Sequence, residues 1–130
     1  MLKLGKANIL NYPLFTMIKI YHNSRCRKSR EGLAVLENSG KKYAVVNYLE
    51  DIPTKDELKN IISCLDIKPI NLVRKSETIW KEKFKSKPLS DEEIIEAMIA
   101  YPKLIERPII INGNSAVIGR PVTNIDSLLN

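Results

Sequence analysis

Cysteine is scarce in this chain, with two among 130 residues, Cys26 and Cys64. That is too few for the disulfide framework that staples small secreted proteins, and it points to a reducing, cytoplasmic setting. Together with the single histidine, the two cysteines fall short of a four-ligand structural zinc site, so no metal is expected. No run approaches the roughly 20 apolar residues of a membrane span. Residues 1–16 carry Lys3 and Lys6, but Asn8, Asn11 and Pro13 interrupt the apolar stretch and no small-residue cleavage site follows. A secretory signal is therefore not expected. Repeats, low-complexity tracts, a P-loop and a Gly-rich dinucleotide fingerprint are all missing, so no bound cofactor is expected. Aromatics amount to 6%, and none interleave with the basic cluster at residues 25–30, which argues against nucleic acid as the partner.

What is present is an ordinary globular composition, 44% hydrophobic and 28% charged, of a length that suits one domain. The net charge of +6 favours anionic partners. Residues 1–16 read as an N-terminal extension and residues 17–130 as a single domain. MIKIY (17–21) and YAVVNY (43–48) have strand character and flank a helix over 27–39 closed by Gly40, which makes a βαβ unit with a parallel pair. Thr54 and Glu57 form a capping box ahead of Leu58, Ile61, Ile62 and Leu65, which recur at helical spacing. Ser90 and Glu93 form a second box ahead of Ile94, Ile95, Met98 and Ile99. Between these helices, Lys68 to Lys87 is basic and less periodic and reads as a helical insertion with loops. PIIIN (108–112) and SAVIG (115–119) read as an antiparallel hairpin around Asn112-Gly113-Asn114, and Ile125, Leu128 and Leu129 suit a closing helix. The order β-α-β-α, helical insertion, β-β-α predicts an α/β fold, a mixed sheet flanked by helices.

Cys26 stands where the first strand gives way to the first helix. Unpaired N–H groups and the helix dipole at such a position stabilise a thiolate. Arg25, Arg27, Lys28 and Arg30 act in the same direction, and surroundings of this kind lower a thiol pKa and make a nucleophile. Cys64, among Ile61, Ile62 and Leu65, reads as a packing residue. The CxxC spacing would need a cysteine where Ser29 stands, so a disulfide formed by Cys26 must be resolved by another thiol. A phosphatase-like signature would need arginine where Gly32 stands.

The string from Tyr21 to Arg30, YHNSRCRKSR, resembles the catalytic loop of the glutaredoxin-dependent arsenate reductases, the ArsC-like family with a thioredoxin-like fold. The resemblance continues through Asn47-Tyr48-Leu49-Glu50, Pro53 to Leu58, Leu72-Val73-Arg74-Lys75, Ile105 to Ile109 and Ile118-Gly119-Arg120-Pro121. It implies that Cys26 attacks arsenate or a similar oxyanion held by Arg74, Arg107 and Arg120. It further implies glutathione as co-substrate and glutaredoxin as protein partner. His22 and Ser29 would support the thiolate, with Asn23 and Arg30 in the same loop, and Pro108 would follow a cis peptide bond. Arg27-Lys28 departs from the small residues that follow the cysteine in this family. The same fold also serves Spx-type regulators that bind a protein such as RNA polymerase, usually through a CxxC switch. A non-catalytic regulator is therefore the competing expectation.

Overall fold

The computed structural model describes residues 2–4 and 17–130. They form two compact units, one made of residues 2–4, 17–51 and 107–130 and the other of residues 52–106.

The first unit is built on a five-stranded sheet of β1 (Leu2–Leu4), β2 (Ile18–His22), β3 (Tyr43–Asn47), β4 (Ile109–Asn112) and β5 (Ser115–Ile118), in the order β1-β3-β2-β4-β5. β2 runs parallel to β3, with Ile20 opposite Val45, and antiparallel to β4, with Ile20 opposite Ile110. Such central strands are apolar because both their faces are covered. The expected strands are in place to within a residue, and His22 ends β2 instead of opening the loop. β1 is a difference: Leu2–Leu4 lies in the stretch read as an extension, and it pairs antiparallel with β3. The rest of that stretch, Met1 and residues 5–16, lies outside the described residues.

Helix α1 (Arg27–Ser39) ends at Gly40, whose φ of 76° is the left-handed cap that glycine adopts without strain. Its Leu36 is fully buried among Ile18, Ile20, Tyr43, Val45, Ile110, Ile125 and Leu128. A 3₁₀ turn over Val122–Ile125 and α5 (Asp126–Leu129) supply the last members of that core, so the expected closing helix is present. Gly113, at φ 64°, makes the β4–β5 hairpin turn.

The second unit contains α2 (Lys55–Leu65), α3 (Thr78–Lys83) and α4 (Asp91–Ala100). Both expected capping boxes close. Thr54 Oγ1 accepts the Glu57 N–H at 3.1 Å, and Ser90 Oγ accepts the Glu93 N–H at 3.2 Å. In α4 the fourth inward position is taken by Ala97, while Ile99 is half-buried. A 3₁₀ turn over Pro69–Leu72 and α3 fill the basic segment, with Trp80 stacked on Phe84 at 5.5 Å. The unit closes where Arg74 N–H donates to the Leu104 carbonyl and Glu106 N–H donates to the Leu72 carbonyl.

No helix among the described residues is long and apolar enough to cross a membrane. No group of three His, Cys, Asp or Glu side chains among them could hold a metal ion.

Candidate active site

Cys26 is the residue on which α1 begins. Its backbone is extended, at φ −97° and ψ 121°, its N–H donates to the Asn23 carbonyl, and its own carbonyl accepts the Arg30 N–H. Cysteine is an unusual starter for a helix, and its side chain closes no capping hydrogen bond. The sulfur therefore lies beside the open N–H groups of the helix's first turn.

The loop before it is stiffened from within. Asn23 Oδ1 accepts the Arg25 N–H at 3.0 Å, and the Arg30 Nη1 donates to the Ser24 carbonyl at 3.0 Å. The Ser29 hydroxyl, fully buried, accepts the Asn23 N–H at 3.0 Å and lies 2.7 Å from His22 Nδ1. With its oxygen already accepting from Asn23, the hydroxyl proton is free to point at an unprotonated Nδ1. His22 and Ser29 thus form a buried strut between the end of β2 and the first turn of α1. Ser29 reaches the sulfur through its main chain, not through its hydroxyl.

Two of the three expected arginines converge on the sulfur. Arg120 Nη2 donates to Cys26 Sγ at 3.2 Å across 94 positions of sequence, while its Nε donates to the Arg107 carbonyl at 2.7 Å. The guanidinium is held at one edge and offered at the other. Partial burial pushes the Cys26 thiol pKa up. The Ser29 N–H, the Arg107 side chain by hydrogen bond and charge, and the Lys28 N–H outweigh that effect, and the pKa lies below the ordinary thiol value. Cys64 is half-buried in α2.

Arg74 belongs to the other unit. There its Nη1 lies 2.7 Å from Glu106 Oε1 and its Nε lies 3.5 Å from Glu77 Oε2, so two carboxylates compensate its charge. Those partners were not foreseen in the sequence.

Nor was the packing that aims Arg107 and Arg120. The bonds Arg107–Pro108 and Arg120–Pro121 are both cis, the second unexpected. The Pro108 ring packs close to two glycines: a Cβ on Gly32 or on Gly119 would fall 2.9 Å from Pro108 Cγ. Gly119 N–H donates to the Pro108 carbonyl at 2.8 Å, and Asn124 Nδ2 donates to the Ile118 and Arg120 carbonyls. A lone glycine inside a helical pattern is a packing signal, and Gly32 carried one.

A nucleophilic sulfur with two guanidinium groups beside it can bind a tetrahedral oxyanion and attack its centre. The ArsC family model matches residues 21–128. The chain belongs to the ArsC family. This ArsC-family protein is 38% identical over 114 residues to the arsenate reductase of Neisseria meningitidis serogroup A, covering 86% of this chain and 97% of that one. It is 42% identical over 106 residues to the uncharacterized Escherichia coli protein YfgD, covering 80% and 89%. The solved structure of an arsenate reductase from Vibrio cholerae superposes with a TM-score of 0.82 at 39% identity, covering 87% and 98%. The fold is thioredoxin-like, as expected.

Proposed function

We propose that this ArsC-family protein is a thiol-dependent oxidoreductase that reduces arsenate to arsenite in the cytoplasm. Cys26 is its nucleophile, and Arg107 and Arg120 are the groups that hold the oxyanion. The observation that carries this reading is the Arg120 guanidinium, 3.2 Å from the Cys26 sulfur and anchored at 2.7 Å on the Arg107 carbonyl. Arg74 is the third arginine by family resemblance, and His22, Asn23, Ser29 and Arg30 support the loop.

In the proposed reaction the Cys26 thiolate attacks arsenic and one arsenate oxygen departs as water, leaving a sulfur–arsenic(V) bond. Two external thiols then supply the two electrons. One arsenate and two thiols give one arsenite, one disulfide and one water. Glutathione is the proposed co-substrate and glutaredoxin the partner that returns the system to its reduced state. The arginines would work by fixed charge, stabilising thiolate and oxyanion together.

The test is an arsenate-reduction assay of the purified protein with glutathione and glutaredoxin. Arsenite should form above the protein-free rate and only background should remain in Cys26→Ser. Background in the native protein refutes the reading.

A further inference from the structure

Arg120 reaches the Cys26 sulfur from a three-residue turn, and one side chain ties that turn at both ends. The Arg120 N–H donates back to the Ile118 carbonyl at 2.8 Å, across Gly119, whose own N–H is held by the Pro108 carbonyl. A turn of this kind closes on a single hydrogen bond between residues two apart. The Asn124 carboxamide spans it. Its Nδ2 donates to the Ile118 carbonyl and to the Arg120 carbonyl, each at 3.1 Å, and an amide nitrogen has one hydrogen for each. Both main-chain polar groups of Arg120 are therefore held before its side chain begins. Farther out, Nε donates to the Arg107 carbonyl at 2.7 Å and Nη2 to the sulfur at 3.2 Å.

Asn124 is itself well anchored. It belongs to the 3₁₀ turn Val122–Ile125, its N–H donates to the Pro121 carbonyl at 3.0 Å, and the next residue, Ile125, is fully buried. Ser127 Oγ donates to the Asn124 carbonyl at 3.0 Å. Asn124 is nevertheless exposed, so water can take the place of its carboxamide at both carbonyls if the side chain is cut back. Its effect on folding is then small, and its effect on geometry falls on Arg120. A guanidinium stabilises an anion best when it is fixed in place before the charge arrives. We infer that Asn124 is a positioning residue for Arg120. Its carboxamide fixes the main chain from which the guanidinium reaches Cys26, and so sets how firmly Arg120 holds the thiolate and, on the oxidoreductase reading above, the oxyanion.

The test is the pH profile of Cys26 alkylation by iodoacetamide in a Cys64→Ser background. A guanidinium beside the sulfur favours the anion, so loosening it raises the thiol pKa. Asn124→Ala should shift the profile to higher pH. Below the native plateau the rate should fall roughly threefold to tenfold, the worth of one ordinary hydrogen bond, and the plateau itself should not fall. The melting temperature should stay close to native. In an Arg120→Ala background the same substitution should have no further effect on the profile, because no guanidinium is left to aim. Ser127→Ala, which removes a neighbouring hydrogen bond and leaves the carboxamide, should keep the native profile.

A native profile in Asn124→Ala overturns the inference. A shift that persists undiminished in the Arg120→Ala background, or that Ser127→Ala reproduces, makes Asn124 a support of the turn alone and overturns it too. The predicted profiles without arsenate turnover refute the oxidoreductase reading alone, whereas turnover with an unmoved Asn124→Ala profile refutes the positioning role alone.

Discussion

Replacing Gly32 by alanine sets two physical effects of opposite sign against each other. Gly32 lies inside α1, where Gly→Ala ordinarily stabilises a helix by about 1 kcal/mol. Here the added methyl would fall 2.9 Å from Pro108 Cγ and 3.3 Å from Ile125 Cδ1, inside the roughly 3.5–4.0 Å of ordinary carbon contact. The proline ring has no rotamer by which to retreat, and a Cβ on Gly119 would fall at the same 2.9 Å from that Cγ. Overpacking of this kind costs about 1–3 kcal/mol, which exceeds the propensity gain. For a chain of this length each kcal/mol moves Tm by roughly 3–5 °C, so Gly32→Ala should melt several degrees lower. Gly119→Ala, outside any helix, lacks the offset and should lose more. Displacement of Pro108 also shifts the Arg107 carbonyl that aims Arg120, so alkylation of Cys26 should slow in both variants. Calorimetric melting and iodoacetamide kinetics are the assays. A rise in the Tm of Gly32→Ala would show that propensity wins and that the contact with Pro108 is slack.

Cys26 should alkylate faster than Cys64 at neutral pH. Its rate should climb with pH and level off below the ordinary thiol range, because the reactive form is the anion and its pKa is depressed; a plateau at or above that range contradicts the site. Arg120→Ala should slow the Cys26 reaction and weaken arsenate binding, since a hydrogen bond to a charged group contributes about 1.5–3 kcal/mol. Arg120→Lys should rescue it only in part, because an ammonium cannot bridge the sulfur and the Arg107 carbonyl; full rescue would reduce the role of Arg120 to charge alone. Ser29→Ala should cost about 1–3 kcal/mol in denaturant unfolding by stranding the Asn23 N–H and removing the hydroxyl beside His22 Nδ1, and an unchanged midpoint denies the strut. Ser90→Ala should cost about 0.5–2 kcal/mol through the lost cap while leaving Cys26 reactivity as it was.

Most of the strands and helices could be read from neighbouring residues, because the forces that make them act over a few positions. Thr54 caps with Glu57, Gly40 ends α1 in a left-handed turn, and a cysteine between a strand and a helix meets unpaired N–H groups wherever the rest of the chain goes. The strand over Leu2–Leu4 escaped that reading, since three residues become a strand only when β3 offers them an edge. The resemblance carried Arg107 and Arg120 to the site but could not say how they act. That depends on Arg120 spanning 94 positions to Cys26 and on a proline ring packed close to two glycines 87 positions apart. The carboxylates on Arg74 were equally hidden, because Glu106 lies 32 positions away in sequence and only the folded second unit brings it to 2.7 Å. Local chemistry made Cys26 a thiolate candidate; tertiary packing chose the guanidinium groups that face it, because ion pairs and close contacts depend on distance through space, and the fold alone sets that distance.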